Sequence, residues 1–109
     1  MNEQVLGHFL RYKRTHANLA DFPVTATRKR RTPGLTRDEV AAWANVSVDW
    51  YSRIEQGRAG VTPSGAVLAN LGQVLQFSQA ETDYVFNLIG LTPPLTHHPE
   101  VAATTLAFI

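Results

Sequence analysis

The sequence has no cysteine. That excludes disulfide bonds and thiolate metal sites, and it agrees with a reducing compartment. No apolar run approaches the ~20 residues that a membrane-spanning helix needs. The N-terminus also lacks a signal-peptide core, because His8, Arg11, Lys13 and Arg14 interrupt its apolar residues. A cytoplasmic location is expected. The second half lacks basic residues altogether. Residues 59–109 hold no Lys or Arg and three acids, Glu81, Asp83 and Glu100, for a net −3. All ten basic residues lie in residues 1–58 beside six acids, for a net +4. The overall charge of +1 hides this division. A polyanion suits the first half as partner; a solvated charged surface is the plain alternative.

Catalytic groupings are missing too. There is no Gly-rich phosphate loop and no HExxH. The carboxylates Asp38, Glu39, Asp49 and Glu55 fall at capping, surface and ion-pair positions. The chain is therefore read as a non-enzyme. His97-His98 before Pro99-Glu100 lack further well-spaced ligands, so no metal or other cofactor is expected.

What is present is a helical pattern on 109 residues, 44% of them hydrophobic, enough for one compact domain. Val5, Leu6, Phe9, Leu10 and Lys13 recur at helical spacing within residues 3–16. Residues 18–35 read as a loop, with Pro23, Pro33 and Gly34 around the basic run Arg28-Lys29-Arg30-Arg31. Thr36-Arg37-Asp38-Glu39 has the capping-box pattern, which predicts a second helix to about Ala44 with Val40, Ala41 and Ala44 inward. Asn45-Val46-Ser47 breaks that helix. Ser47 caps a third one, running to about Gln56 and stopped by Gly57, with Tyr51 and Ile54 inward. Ser64 opens a fourth helix carrying Val67, Leu68, Leu71, Val74 and Leu75. Ser78-Gln79-Ala80-Glu81 is a second capping box. It opens a fifth helix with Tyr84, Val85, Leu88 and Ile89, ended by Gly90 and Pro93-Pro94. Residues 95–109 read as a short helix or a tail.

Two short helices joined by a tight turn, the second one capped, is helix-turn-helix grammar. Ala41 must be small where the helices cross, and Asn45 tolerates the left-handed backbone of the turn. Val46 and Ile54 fill the gap between the helices. Residues 5–77 resemble the Xre/lambda-repressor-like family of five-helix DNA-binding domains. The run Arg31-Thr32-Pro33-Gly34-Leu35-Thr36-Arg37-Asp38-Glu39-Val40-Ala41 is similar to one branch, the MmyB-like transcriptional regulators. So are Val46-Ser47-Val48-Asp49-Trp50-Tyr51, Ile54-Glu55-Gln56-Gly57-Arg58 and the closing Leu88-Ile89-Gly90-Leu91-Thr92-Pro93-Pro94. The expected fold is all-α and lambda-repressor-like, with the helix-turn-helix at residues 36–57. Residues 1–94 form the DNA-binding domain, with a basic loop at 23–35. Residues 95–109 are an extension, a tail or a dimerisation segment.

The resemblance implies a sequence-specific transcriptional regulator that binds double-stranded DNA, with the third helix in the major groove. Val48, Asp49, Ser52 and Arg53 are then the base-contacting candidates. Arg53 would read guanine, Asp49 would accept from cytosine N4 or orient Arg53, and Val48 would touch a thymine methyl. The plain alternative is a solvated helix face with an i,i+4 ion pair and no base contact. Arg37, at the start of the second helix, and Arg58, after the third, are backbone candidates. Arg28, Lys29, Arg30 and Arg31 would follow the backbone or enter a minor groove. Glu55 is implied to pair with Arg14 as a structural ion pair. Trp43 and Trp50 are read as packing residues, and His8 and His16 as surface residues. A homodimer is expected, since one such domain covers a half-site. MmyB-like regulators usually continue into a ligand-binding domain, for which a chain ending at Ile109 has no room; the expectation is either a fragment, with that domain missing from this chain, or a stand-alone binder. The different reading is a protein-interaction module, an antitoxin or anti-repressor on the same fold.

Overall fold

The structure is a computed structural model that describes residues 2–22 and 34–94. Most of the basic loop, with Arg28, Lys29, Arg30 and Arg31, and the extension 95–109, with His97 and His98, lie outside the described residues. Among the described residues five α-helices follow one another: α1 (Glu3–Thr15), α2 (Arg37–Ala44), α3 (Val48–Glu55), α4 (Gly65–Val74) and α5 (Gln79–Leu88). One 3-10 turn, Leu19–Asp21, follows α1. No strand occurs among the described residues, which form an all-α fold.

The helix starts come from local hydrogen bonding. Thr36 accepts the Glu39 N–H at 3.1 Å, and the Glu39 carboxylate accepts the Thr36 N–H at 2.8 Å. Ser78 and Glu81 repeat this box at 3.1 and 2.9 Å. Ser47 caps Trp50 at 3.1 Å and Ser64 caps Val67 at 3.3 Å. Each cap satisfies an N–H that has no partner inside the helix.

The ends of α2 to α5 share one device. A left-handed residue turns the chain back, and the next N–H reaches a carbonyl five residues earlier. The four turn residues are Asn45, Gly57, Gln76 and Gly90. The closing bonds are Val46 to Ala41 (3.0 Å), Arg58 to Arg53 (3.4 Å), Phe77 to Gly72 (2.8 Å) and Leu91 to Phe86 (2.9 Å).

The core joins all five helices. Leu6 and Leu10 come from α1, Val40, Ala41 and Ala44 from α2, and Tyr51 and Ile54 from α3. Leu68 and Leu71 come from α4 with Leu75 just beyond it, and Val85 and Phe86 from α5. α1 packs on α3 and α5, while α2 packs on α3 and α4. Two expected faces shift. Val5 and Tyr84 are exposed, at 40% and 45%. On α1 the buried set is Leu6, Gly7, Leu10 and Arg14; on α5 it is Thr82, Val85 and Phe86. Gly7 explains the rotation of α1. A methyl group there would collide with the carbonyl oxygens of Ile54 and Glu55, so bare backbone lets α1 cross the end of α3. Tyr84 is not lost to packing: its ring meets the edge of Phe9, centroids 5.4 Å apart. Trp43 stacks parallel to Phe22 at 6.3 Å, a rim contact rather than a free base-stacking surface.

Candidate nucleic-acid interface

α2 and α3 meet at Asn45, whose backbone is left-handed at φ 60° and ψ 45°. Ala41 and Ala44, both buried, let the two helices approach. The turn sets α3 with one side in the core and the other in solvent. Tyr51, Ile54 and Glu55 are buried. Val48, Asp49 and Arg53 are exposed and Ser52 is half-buried, and at helical spacing these four form one contiguous outer face. Gln56 extends that face by one position; it is exposed, and its side-chain oxygen accepts from Arg58 Nε at 3.1 Å. Its spacing from Ser52 and Arg53 was the available signal, masked by its place at the helix end. Arg53 Nη2 lies 2.9 Å from Asp49 Oδ2 on this face.

Behind the face lies a buried charge cluster. Arg14 Nε and Nη2 donate to Glu55 Oε2 and Oε1 at 2.7 and 2.8 Å, so the pair is bidentate. Arg14 Nη1 donates to the Leu35 carbonyl at 2.9 Å, while the Leu35 N–H donates to the Arg14 carbonyl at 2.9 Å. Arg14 therefore fastens the Gly34-Leu35 segment to α1 as well as holding Glu55. Gly34 is left-handed at φ 72°, and a Cβ there would collide with the Arg14 and Thr15 carbonyls. No local pattern marks this docking, because Arg14 and Leu35 are 21 residues apart in the chain.

Arg37 completes the cluster. Its Nε donates to Glu55 Oε1 at 3.2 Å, yet its side chain is 40% exposed. The guanidinium thus joins a buried carboxylate to the surface at the start of α2. Burial opposes the Glu55 charge, but hydrogen bonds and charge from Arg14, helped by Arg37, outweigh it and hold the carboxyl below its usual range. The same hydrogen bonds push Arg14 upward against its own burial. The enclosed Tyr51 hydroxyl sits close enough to feel both charges but meets no partner at bonding geometry among the described residues. Burial, then the Glu55 charge, pushes its phenol well above the usual range.

A family model described as a helix-turn-helix domain matches residues 5–85. The chain belongs to this helix-turn-helix family. The match spans α1 to most of α5, so the helix-turn-helix is read together with the helices that carry it. No curated protein and no solved structure matches the chain. Within the helix-turn-helix domain, the structure brings Val48, Asp49, Ser52 and Arg53 onto one face and joins Arg14 to Glu55. Arg37, at the start of α2, is tied to Glu55. Arg58 is exposed just beyond α3. Among the described residues no group of His, Cys, Asp or Glu could hold a metal ion, and no helix is long and apolar enough to cross a membrane.

Proposed function

We propose that this chain is a sequence-specific transcriptional regulator that binds double-stranded DNA in the cytoplasm, with α3 in the major groove. The outward face of α3 carries this reading: exposed Val48, Asp49 and Arg53 beside Ser52, on a helix whose other side is anchored in the core. A helix about 10–12 Å across fits a groove about 12 Å wide. Arg53 contacts guanine, and Val48, Asp49 and Ser52 contact neighbouring base edges. Arg37 and Arg58 hold the phosphate backbone, with Arg28, Lys29, Arg30 and Arg31 adding charge along it. The basic first half supports the polyanion partner. We place the chain in the MmyB-like branch, with residues 1–94 as the DNA-binding unit and 95–109 as an extension. Two copies bind a two-fold symmetric operator, one half-site each.

Selection of bound sequences from random duplexes tests this. Symmetric enriched sites are expected, with affinity falling steeply as salt rises. No enrichment at low salt overturns the reading. The exposed Val5, Tyr12, Tyr84 and Leu91 favour a second one, a protein-interaction module of the antitoxin or anti-repressor kind. It predicts weak duplex binding that ignores Arg53.

A further inference from the structure

Asp49 and Arg53 stand on successive turns of α3, joined at 2.9 Å. Their side chains are 76% and 51% exposed. Among the described residues Asp49 is the only partner of the Arg53 guanidinium. A guanidinium has five N–H donors, so a single contact leaves most of its fork for a base. The second Asp49 oxygen is likewise left for another donor.

We infer that Asp49 is the positioning residue for Arg53, and that the pair reads two neighbouring base pairs. Arg53 takes a guanine. Asp49 takes the amino hydrogen of the cytosine or adenine beside it. The inference rests on α3 lying in the major groove.

Three physical points carry it. Arginine loses more rotamer freedom than most side chains when held in one place, and Asp49 already restricts it in the free protein. Guanine offers the O6 and N7 acceptors that match a guanidinium fork, while cytosine N4 and adenine N6 are the amino donors of the major groove. A carboxylate pointed at a polyanion is repelled wherever it meets no such donor. It therefore weakens binding to wrong sequences more than to the right one. A pair that merely supports the helix would change stability slightly and leave base preference alone.

The experiment uses the full chain on duplexes built from its selected site, varying each base in turn. The wild-type chain, Asp49→Ala and Asp49→Asn are compared. The wild-type chain is expected to prefer guanine at one position by about 5- to 150-fold, with cytosine or adenine next to it. Asp49→Ala loses the neighbouring preference and weakens the guanine preference at least about fivefold, while its affinity for random duplex holds or rises. Asp49→Asn moves the neighbouring preference toward adenine, whose N6 and N7 suit an amide. Base preference is a ratio, so a partly unfolded variant does not distort it. If Asp49→Ala leaves every base preference unchanged, the inference fails while the DNA-binding reading stands. If the wild-type chain binds no duplex at low salt, the DNA-binding reading fails first and takes the inference with it.

Discussion

Glu55 is a carboxylate with a side chain only 1% exposed, and its charge survives because two arginines reach it. A buried ion pair seldom adds stability over a well-packed apolar pair, but stranding one member is costly. Arg14→Met is therefore expected to lose about 3 kcal/mol, the lower end of the usual range because Arg37 stays behind. The urea midpoint of unfolding measures it. The double variant Arg14→Met, Glu55→Leu should recover part of that loss, since no charge is then left alone. The pH dependence follows from the same residue. The folded Glu55 carboxyl lies below its unfolded value of about 4.3, so its contribution is complete above that pH. It is lost as pH falls through the folded value. Glu55→Gln should be less stable at neutral pH and show a shallower loss of stability on acidification below about pH 4. An equally steep acid transition in Glu55→Gln would assign it to other carboxylates, among them Glu81. That group is also held low: burial opposes its charge, but the Ser78 N–H and the Lys13 ammonium at 3.0 Å prevail.

At the level of the helix, starts and stops behave differently. Thr36, Ser47, Ser64 and Ser78 cap their helices through bonds to N–H groups three residues on, so a short stretch of sequence contains the whole device. The ends were legible where Gly57 and Gly90 stand, and at Asn45. They were not legible at Gln76, which adopts φ 60° with a side chain that disfavours it. Left-handed backbone costs a non-glycine residue about 1–2 kcal/mol. It is tolerated here because Phe77 must fold back over Gly72 into the core, and because Gln76 Nε2 bonds the Asp21 carbonyl at 2.9 Å. Gln76→Gly removes the strain and loses that exposed bond and some unfolded-state restriction. A net gain of about 0.5 kcal/mol is expected in a thermal melt. A loss would mean that the Asp21 contact, which ties the end of α4 to the 3-10 turn, outweighs the backbone strain.

Across the whole molecule, charge and packing are divided. The basic residues all lie in residues 1–58; Arg14 of α1 and Arg37 of α2 meet at Glu55, Arg53 stands on the α3 face, and Lys13 reaches across to Glu81 of α5. Residues 59–94 contribute buried apolar side chains and no cation. On the proposed reading, α4 and α5 are the scaffold and the first three helices form the contact surface. Salt dependence tests this division. Arg37→Ala should weaken binding about equally on every duplex and lower the slope of log affinity against log salt by about one, as expected for one phosphate contact. Arg53→Ala should instead flatten sequence preference. A change of preference in Arg37→Ala would place Arg37 at a base edge, not a phosphate.

The helices, their order and the caps that start α2 to α5 could be read from the amino acids alone, because those depend on residues within one turn of each other. So could the outer face of α3, since spacing alone separates Val48, Asp49, Ser52 and Arg53 from Tyr51 and Ile54. Which side of α1 is buried could be seen only in the folded chain, because it depends on Gly7 meeting carbonyls 47 and 48 residues away. The tertiary structure also added Arg37 to the Arg14–Glu55 pair and pinned Leu35 to Arg14. A buried carboxylate gathers whichever donors packing brings within about 3 Å, and no local pattern records which ones those are.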